Sequence, residues 1–363
     1  MKVNLVCPRF CWHSDDLLAL QRYRYFDYVL IYDTPPFISR QSFSVISNIF
    51  WFVSYEYFQR LWRLLCLIPW TIIVSIRLRS NNYPIHCHGL FAFLVVHFAC
   101  IPSARIVFTP QGSDVLVRSF KNKFVREFLR INLLSVGAIT ADSLQLLDRC
   151  GELAPGRASN HYLIQNGIDF SILDSTRLDV LKYDICWPRG LSNVYQFDHF
   201  LSVLTSISQL TDKPISVCII GAYGNSRLIS RLFELPNVHL NLQTRLPPSL
   251  FYNELASSKV VVSIPSSDSS PRTVYESVYL MRPLFLTELP FLRMMDNFNK
   301  STYPVCFCSG DAYQDALQLL AMIRSYTSYL PMAQSYVHST PFFDTLHYEH
   351  IANQFYQVYH NID

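Results

Sequence analysis

Short apolar runs alternate along the chain with longer stretches of helical spacing. The first runs are Val3–Cys7, Tyr28–Tyr32, Ile85–Cys87, Arg105–Thr109, Ala138–Ala141 and Tyr162–Gln165. Between them, Leu90–Ala99, Lys121–Leu134 and Ser143–Cys150 read as helices. A second series follows: Tyr183–Trp187, Ser216–Ile220, Val238–Leu240, Val260–Ile264, Leu284–Thr287 and Val305–Cys308. Gln196–Gln209, Ser249–Ser257 and Pro271–Met281 are the helices between, and Phe342–His360 reads as a terminal helix. Apolar strands alternating with helices predict βαβ units and parallel sheets. The fold class is therefore α/β, with two Rossmann-like, doubly wound domains facing each other across a cleft. The break falls in the turn residues after Gln165-Asn166-Gly167-Ile168-Asp169. It places one domain over 1–170 and the other over 171–339. Ligands of such sheets bind beyond the carboxyl ends of the strands, so residues just after strands carry the chemistry.

Composition narrows the function classes. With 363 residues the chain has room for about two domains. Apolar residues make up 50% and charged residues 16%, which excludes a disordered or coiled-coil protein. Lys+Arg is 30 against 27 Asp+Glu, a net charge of +3 that argues against a nucleic-acid binder. The ten cysteines sit mostly in apolar runs, and no pair of CxxC motifs is present. They read as reduced, buried thiols of a cytoplasmic protein rather than as a zinc cage.

The first apolar run meets Pro8 and Arg9 too early for a signal peptide and reads as a strand. The longest uncharged apolar run, Leu64–Ile76, has 13 residues and is broken by Pro69. That is short of the roughly 20 needed to span a bilayer. Arg60, Arg63, Arg77 and Arg79 flank it, with Trp51, Trp62 and Trp70 nearby. Two readings of Trp51–Arg79 stay open: two helices packed on a sheet, or a basic, Trp-rich stretch lying on an anionic membrane.

The densest chemistry lies in Val260–Pro283, VVVSIPSSDSSPRTVYESVYLMRP. An apolar strand enters a polar loop. Ser270 is placed to cap the next helix, with Pro271 in its first turn. A helix start presents backbone N–H groups and a favourable dipole to phosphate. Asp268 precedes it, and Glu276 lies about 7 Å along the helix axis. Carboxylates accept well from hydroxyl groups, so a diphosphate flanked by two polyols, such as a nucleotide sugar, fits this pattern. A capped helix bearing two solvated acids fits it as well. Arg189 stands just past another strand, beside Gly190. It reads either as a fork for a diphosphate or as a surface turn residue.

His86 and His88 alternate along one strand and so face one side. With Cys87 between them they lack a third ligand at suitable spacing, so one histidine lining the cleft is preferred to a metal. His13 follows the first strand. Asp114 reads equally as a helix cap and as a ligand contact.

Taken in order, these residues resemble the retaining glycosyltransferases of the GT-B fold, family 4. His86-Cys87-His88-Gly89 resembles the family's His-x-His-Gly strand end. Thr109-Pro110-Gln111-Gly112-Ser113-Asp114 resembles its Thr-Pro-His-Gly-Ser-Asp loop. Ala141-Asp142-Ser143 resembles the start of its next helix. Gln165-Asn166-Gly167-Ile168-Asp169 resembles its interdomain Pro-Asn-Gly-Val-Asp. Arg189 matches the Arg of its Gly-Arg motif, and Ile219-Ile220-Gly221 its next strand and Gly. Asp268 and Glu276 match its Glu-x7-Glu pair.

The resemblance implies a nucleotide-sugar donor, UDP- or GDP-linked, in the second domain and an acceptor in the first. It implies transfer with retention, no metal or other cofactor, and a final helix (340–363) packing back on the first domain. Donor contacts would come from Arg189, Gly221, Pro271, Arg272, Thr273 and Glu276. Gln111, Asp268 and Glu276 would stand at the reacting centre, with His13, His88 and Asp114 toward a glycan or lipid-linked acceptor. The implied setting is bacterial surface polysaccharide synthesis, in the cytoplasm or at the inner membrane face.

The chain departs from the family at four points. Pro8–His13 replaces a Gly-Gly loop, Tyr195 stands where the family has Lys, Gln111 replaces a His, and Asp268 replaces a Glu. Arg272 is the nearest substitute for the missing Lys. These departures keep two other readings in view. One is a non-catalytic GT-B subunit, and the other is an epimerase or hydrolase on the same fold.

Overall fold

The structure, a computed structural model, describes residues 1–7, 17–23, 25–32, 70–156, 160–176, 180–222 and 226–362. Contacts divide the chain into two units. Unit 1 is Met1–Gly167 with Tyr348–Asp363, and unit 2 is Ile168–His347.

Unit 1 is built on β1 (Lys2–Cys7), β2 (Asp27–Tyr32), β3 (Ile85–His88), β4 (Ile106–Thr109), β5 (Ala138–Ala141) and β6 (His161–Leu163). Their order is β2-β1-β3-β4-β5-β6, and every pairing is parallel. The period-2 rule divides β1 between two cores. Val6 packs with the helices Leu90–Phe98, Lys123–Leu133 and Leu144–Leu153. Val3, Leu5 and Cys7 pack on the other face, against Leu17, Leu20 and the final helix Tyr348–Ile362. A sheet buried on both faces needs strands that are apolar throughout, which is why the runs were readable.

Unit 2 carries β7 (Tyr183–Trp187), β8 (Ile215–Ile220), β9 (Val238–Gln243), β10 (Ser258–Ser263), β11 (Leu284–Leu286) and β12 (Val305–Phe307). The order is β12-β11-β10-β7-β8-β9, again all parallel. The strand order reverses between β7 and β10, so the crevice for a ligand opens beyond the carboxyl ends of these two. Val261 faces one core and Val260 and Val262 the other.

Several expectations need correction. Lys121–Leu134 is not one helix, because Asn122 is extended (φ −131°) and caps Lys123–Leu133 through Phe124 and Val125 N–H. The tail is not one helix either. Pro341–Leu346 forms a 3-10 turn, and His347 is extended before Tyr348–Ile362 begins. The thiols are not uniformly buried. Cys100 is exposed, and Cys306 and Cys308 are half-buried.

Trp51 and Trp62 lie outside the described residues. Residues 70–79 are helical, and Arg79 donates to the Ala99 and Cys100 carbonyls. Among the described residues, no helix is long and apolar enough to cross a membrane.

Gly137 is a strict packing constraint. A Cβ there would lie 2.1 Å from the Ala104 carbonyl oxygen, a backbone atom. Gly137→Ala is therefore expected to destabilise by about 3 kcal/mol or more, since the turn Ser103–Arg105 must move. A urea midpoint indistinguishable from that of the parent protein would contradict this.

Candidate active site

In unit 2 the site forms where the strand order reverses. Two residues after β7, Arg189 donates from Nη2 to Asp268 Oδ2 at 3.0 Å and from Nε to Ser263 Oγ at 3.4 Å. One side chain thus ties the end of β7 to the end of β10. Both members of the pair are largely buried, with 12% and 18% of their side chains exposed. The guanidinium also lies 5.2 Å from the centre of the Tyr195 ring. Tyr195 therefore holds Arg189 in place by cation–π contact rather than adding a second cation.

Gly221 follows β8 at φ +91°, the left-handed region that glycine tolerates. A Cβ there would meet Gly190 Cα and N at 3.3 Å, so the turns after β7 and β8 lie backbone against backbone.

Glu276 is buried on the helix Arg272–Tyr279. Its Oε1 accepts from Arg272 Nε at 2.7 Å and from Tyr252 OH at 2.8 Å. Arg272 Nη2 also donates to Tyr252 OH at 3.3 Å, which closes a three-member cluster. Burial first, and then the Glu276 charge, push the Tyr252 phenol far up, so it stays a hydrogen-bond donor.

Two expectations at this helix start fail. Ser270 does not cap it: its hydroxyl is 3.4 Å from Tyr275 OH, and the capping position falls on Pro271, at ψ 87° and without a side-chain bond. The start is also less open than expected. Arg272 N–H donates to the Ser270 carbonyl at 2.9 Å and Val274 N–H to Pro271 at 2.8 Å. Thr273 is half-buried and accepts from Ser277 through its own carbonyl.

In unit 1, His86 and His88 share one face of β3, with ring centres 6.3 Å apart. His86 is fully buried; Nδ1 lies 2.6 Å from Tyr359 OH and Nε2 2.7 Å from Thr109 Oγ1. Burial holds its pKa down to about 3, so it is neutral. His88 is buried at the same strand end.

Asp114 Oδ2 accepts from Leu90 N–H at 2.9 Å and Gln111 N–H at 3.1 Å, and Arg118 pairs with Oδ1 at 3.1 Å. Asp114 thus caps a helix distant in sequence and fastens the Gln111 loop to it. Burial raises its pKa, and these three contacts only partly offset the rise. A Cβ on Gly89 would touch both Asp114 and Gln111 at 3.7 Å, so His88, Gly89, Gln111 and Asp114 form one neighbourhood. His13 lies outside the described residues.

One cluster carried no sequence signal. Asp315 Oδ2 lies 2.8 Å from His199 Nε2 and 3.0 Å from Cys308 Sγ, and Oδ1 accepts from Ser309 N–H and hydroxyl at 2.7 Å. The donor atoms of His199, Cys308 and Asp315 lie within 4.8 Å of one another. Burial and the Asp315 carboxylate push the Cys308 thiol up to about 12. It is therefore a protonated donor, and the group works as a hydrogen-bonded latch. Unit 2 also has a cavity of about 400 Å³ lined by Asp296, Ser301, Tyr336 and Thr340, and none of the site residues above line it.

Two all-parallel, doubly wound units of six strands, with polar groups gathered at a switch point, define the GT-B fold of glycosyltransferases. No protein-family model matches the sequence, and no curated protein matches it. Solved structures do. HepE of Anabaena, in complex with UDP and glucose, superposes at TM-score 0.68 with 11% identity, over 98% of each chain. A UDP-forming trehalose-phosphate synthase from Burkholderia xenovorans gives 0.69 at 9% identity, over 99% of each. A glycosyltransferase from Rickettsia africae gives 0.66 at 10%, over 99% of this chain and 98% of that one. At these identities the likeness is one of fold.

Proposed function

We propose that the chain is a retaining glycosyltransferase of family 4. In this reading it moves a sugar from a UDP- or GDP-sugar to a glycan or lipid-linked acceptor. Its setting is bacterial surface polysaccharide assembly, in the cytoplasm or at the inner face of the cytoplasmic membrane. The observation that carries this reading is the Arg189–Asp268 pair spanning the β7/β10 switch point, with the Arg272–Glu276–Tyr252 cluster on the next helix. That HepE was crystallised with UDP and with UDP-glucose supports a nucleotide-sugar donor on this fold.

On donor binding Arg189 exchanges Asp268 for the diphosphate, and Asp268 turns to the sugar hydroxyls. Arg272 adds the second positive charge, so no metal is needed to neutralise the leaving group. Glu276, steadied at Oε1, takes the ribose hydroxyls. The bond from sugar C1 to phosphate oxygen breaks, and the acceptor oxygen bonds C1 on the same face. The acceptor proton passes to the departing phosphate, so Gln111 needs only to hydrogen-bond, not to carry a proton.

Glu276→Ala is expected to weaken nucleotide binding on the order of 10- to 100-fold, the loss of a charge-assisted hydrogen bond. Calorimetry with UDP, GDP, ADP and CMP tests this and names the base. Unchanged affinity removes Glu276 from the ribose.

A second reading, a non-catalytic GT-B subunit, is favoured by one observation. Both arginines are already neutralised within the protein, Arg189 by Asp268 and Arg272 by Glu276. No binding of any nucleotide would favour that reading. Donor consumed without acceptor would point to a hydrolase or epimerase.

A further inference from the structure

The proposed reaction leaves one strongly marked surface of unit 1 unused. Arg118–Leu134 carries Arg118, Lys121, Lys123, Arg126 and Arg130 against a single acid, Glu127. That excess is larger than the net +3 of the whole chain, so the remainder is slightly acidic. All five cations are exposed. Glu127 is taken up by Arg130 at 2.7 Å and Arg126 at 3.8 Å.

Large apolar side chains stand among these charges. Phe120 is 64% exposed, Phe124 70% and Ile131 59%. Phe124 and Ile131 are seven residues apart, two turns on one stripe of the helix Lys123–Leu133. Leu129 and Leu133 of the same helix are buried. The helix therefore has two apolar faces, one in the core and one outside. The neighbouring helix Leu90–Phe98 adds one more exposed ring at its end. The His97 ring lies 5.2 Å from Phe128 and 5.9 Å from Phe98, and Phe98 is 55% exposed.

Exposed aromatic and branched side chains ringed by long cationic ones match an anionic lipid surface. The apolar groups enter the headgroup–acyl boundary while Lys and Arg heads reach the phosphates. We propose that this face of unit 1 docks on an anionic bilayer through Phe120, Phe124 and Ile131, with Lys121, Lys123, Arg126 and Arg130 on the headgroups, while Arg118 stays with Asp114. The proposal deepens the lipid-linked acceptor of the proposed function. It rests on that reading for its purpose, while its physics stands independently.

The test is co-sedimentation of the full chain with vesicles. One set is phosphatidylcholine alone, and the other contains roughly one-third phosphatidylglycerol. The expected result is binding to the anionic set that falls steeply between about 0.1 M and about 0.5 M salt. Lys121→Glu with Arg126→Glu is expected to weaken partitioning at least about 20-fold. Phe120→Ser with Phe124→Ser is expected to weaken it about tenfold or more. Both pairs lie on the surface, and UDP calorimetry on them gives an independent readout. Vesicle binding without nucleotide binding sinks the proposed function and leaves the docking face standing. Absence of vesicle binding, or binding indifferent to both pairs, overturns the docking face whatever the nucleotide result. Concentration-dependent dimerisation abolished by the same substitutions, without vesicle binding, also overturns it.

Discussion

Arg189→Ala is expected to lower the rate of sugar transfer about 100- to 1000-fold, the usual loss when a preorganised donor to developing negative charge is removed. The effect is large because Arg189 serves two states. In the free protein it neutralises Asp268, 3.0 Å away in a largely buried setting. In the proposed reaction it meets the leaving diphosphate. The alanine variant leaves Asp268 without its cation and the leaving group without its fork. Arg189→Lys restores charge but not the bidentate geometry, so it recovers only part of the rate. Steady-state transfer from donor to acceptor measures this, with urea unfolding to show that the variants are folded. A fall of less than about threefold would remove Arg189 from the chemistry.

The second large effect is an acid-side loss of stability through His86. Unfolded, its imidazole titrates near the ordinary 6.5; folded, burial holds it down to about 3. As pH falls through this window the unfolded chain binds a proton that the folded chain refuses. The stabilisation is complete above 6.5 and drains progressively towards 3. Each pH unit is worth about 1.4 kcal/mol, so the loss near pH 4.5 is about 2–3 kcal/mol. His86→Gln can still hydrogen-bond Tyr359 and Thr109 but has no proton to take up. Its unfolding free energy is expected to fall less steeply over the same range. Parallel slopes for the two proteins would exclude His86 as the source.

The strands were legible because each sheet is covered on both faces, so burial is written as continuous apolar runs. The candidate site was legible where its parts lie close in sequence. Asp268, Arg272 and Glu276 share one loop and helix, and Arg189 stands beside a strand end. What could not be read was pairing over distance. Nothing near Asp114 in sequence marks Leu90 N–H as its partner, and His199 and Asp315 are 116 positions apart. The Ser270 cap was misread for a local reason. The Ser-Pro pattern is a good N-terminal signal, but at Pro271 the chain is still turning, at ψ 87°, and the helix opens one residue later. Lys121–Leu134 ran together because one extended residue, Asn122, leaves the apolar spacing on either side intact.

The final helix sets an order of events during synthesis. Tyr348, Ile351, Phe355, Val358 and Tyr359 complete the core that β1 begins with Val3 and Leu5. Unit 2, from Ile168 to His347, is continuous in sequence and can close as soon as it leaves the ribosome. Unit 1 emerges first yet finishes last. One face of its sheet, with Leu17 and Leu20 against it, stays incompletely covered until Tyr348–Ile362 follows unit 2. A stop codon that removes only those residues would strike the domain made first.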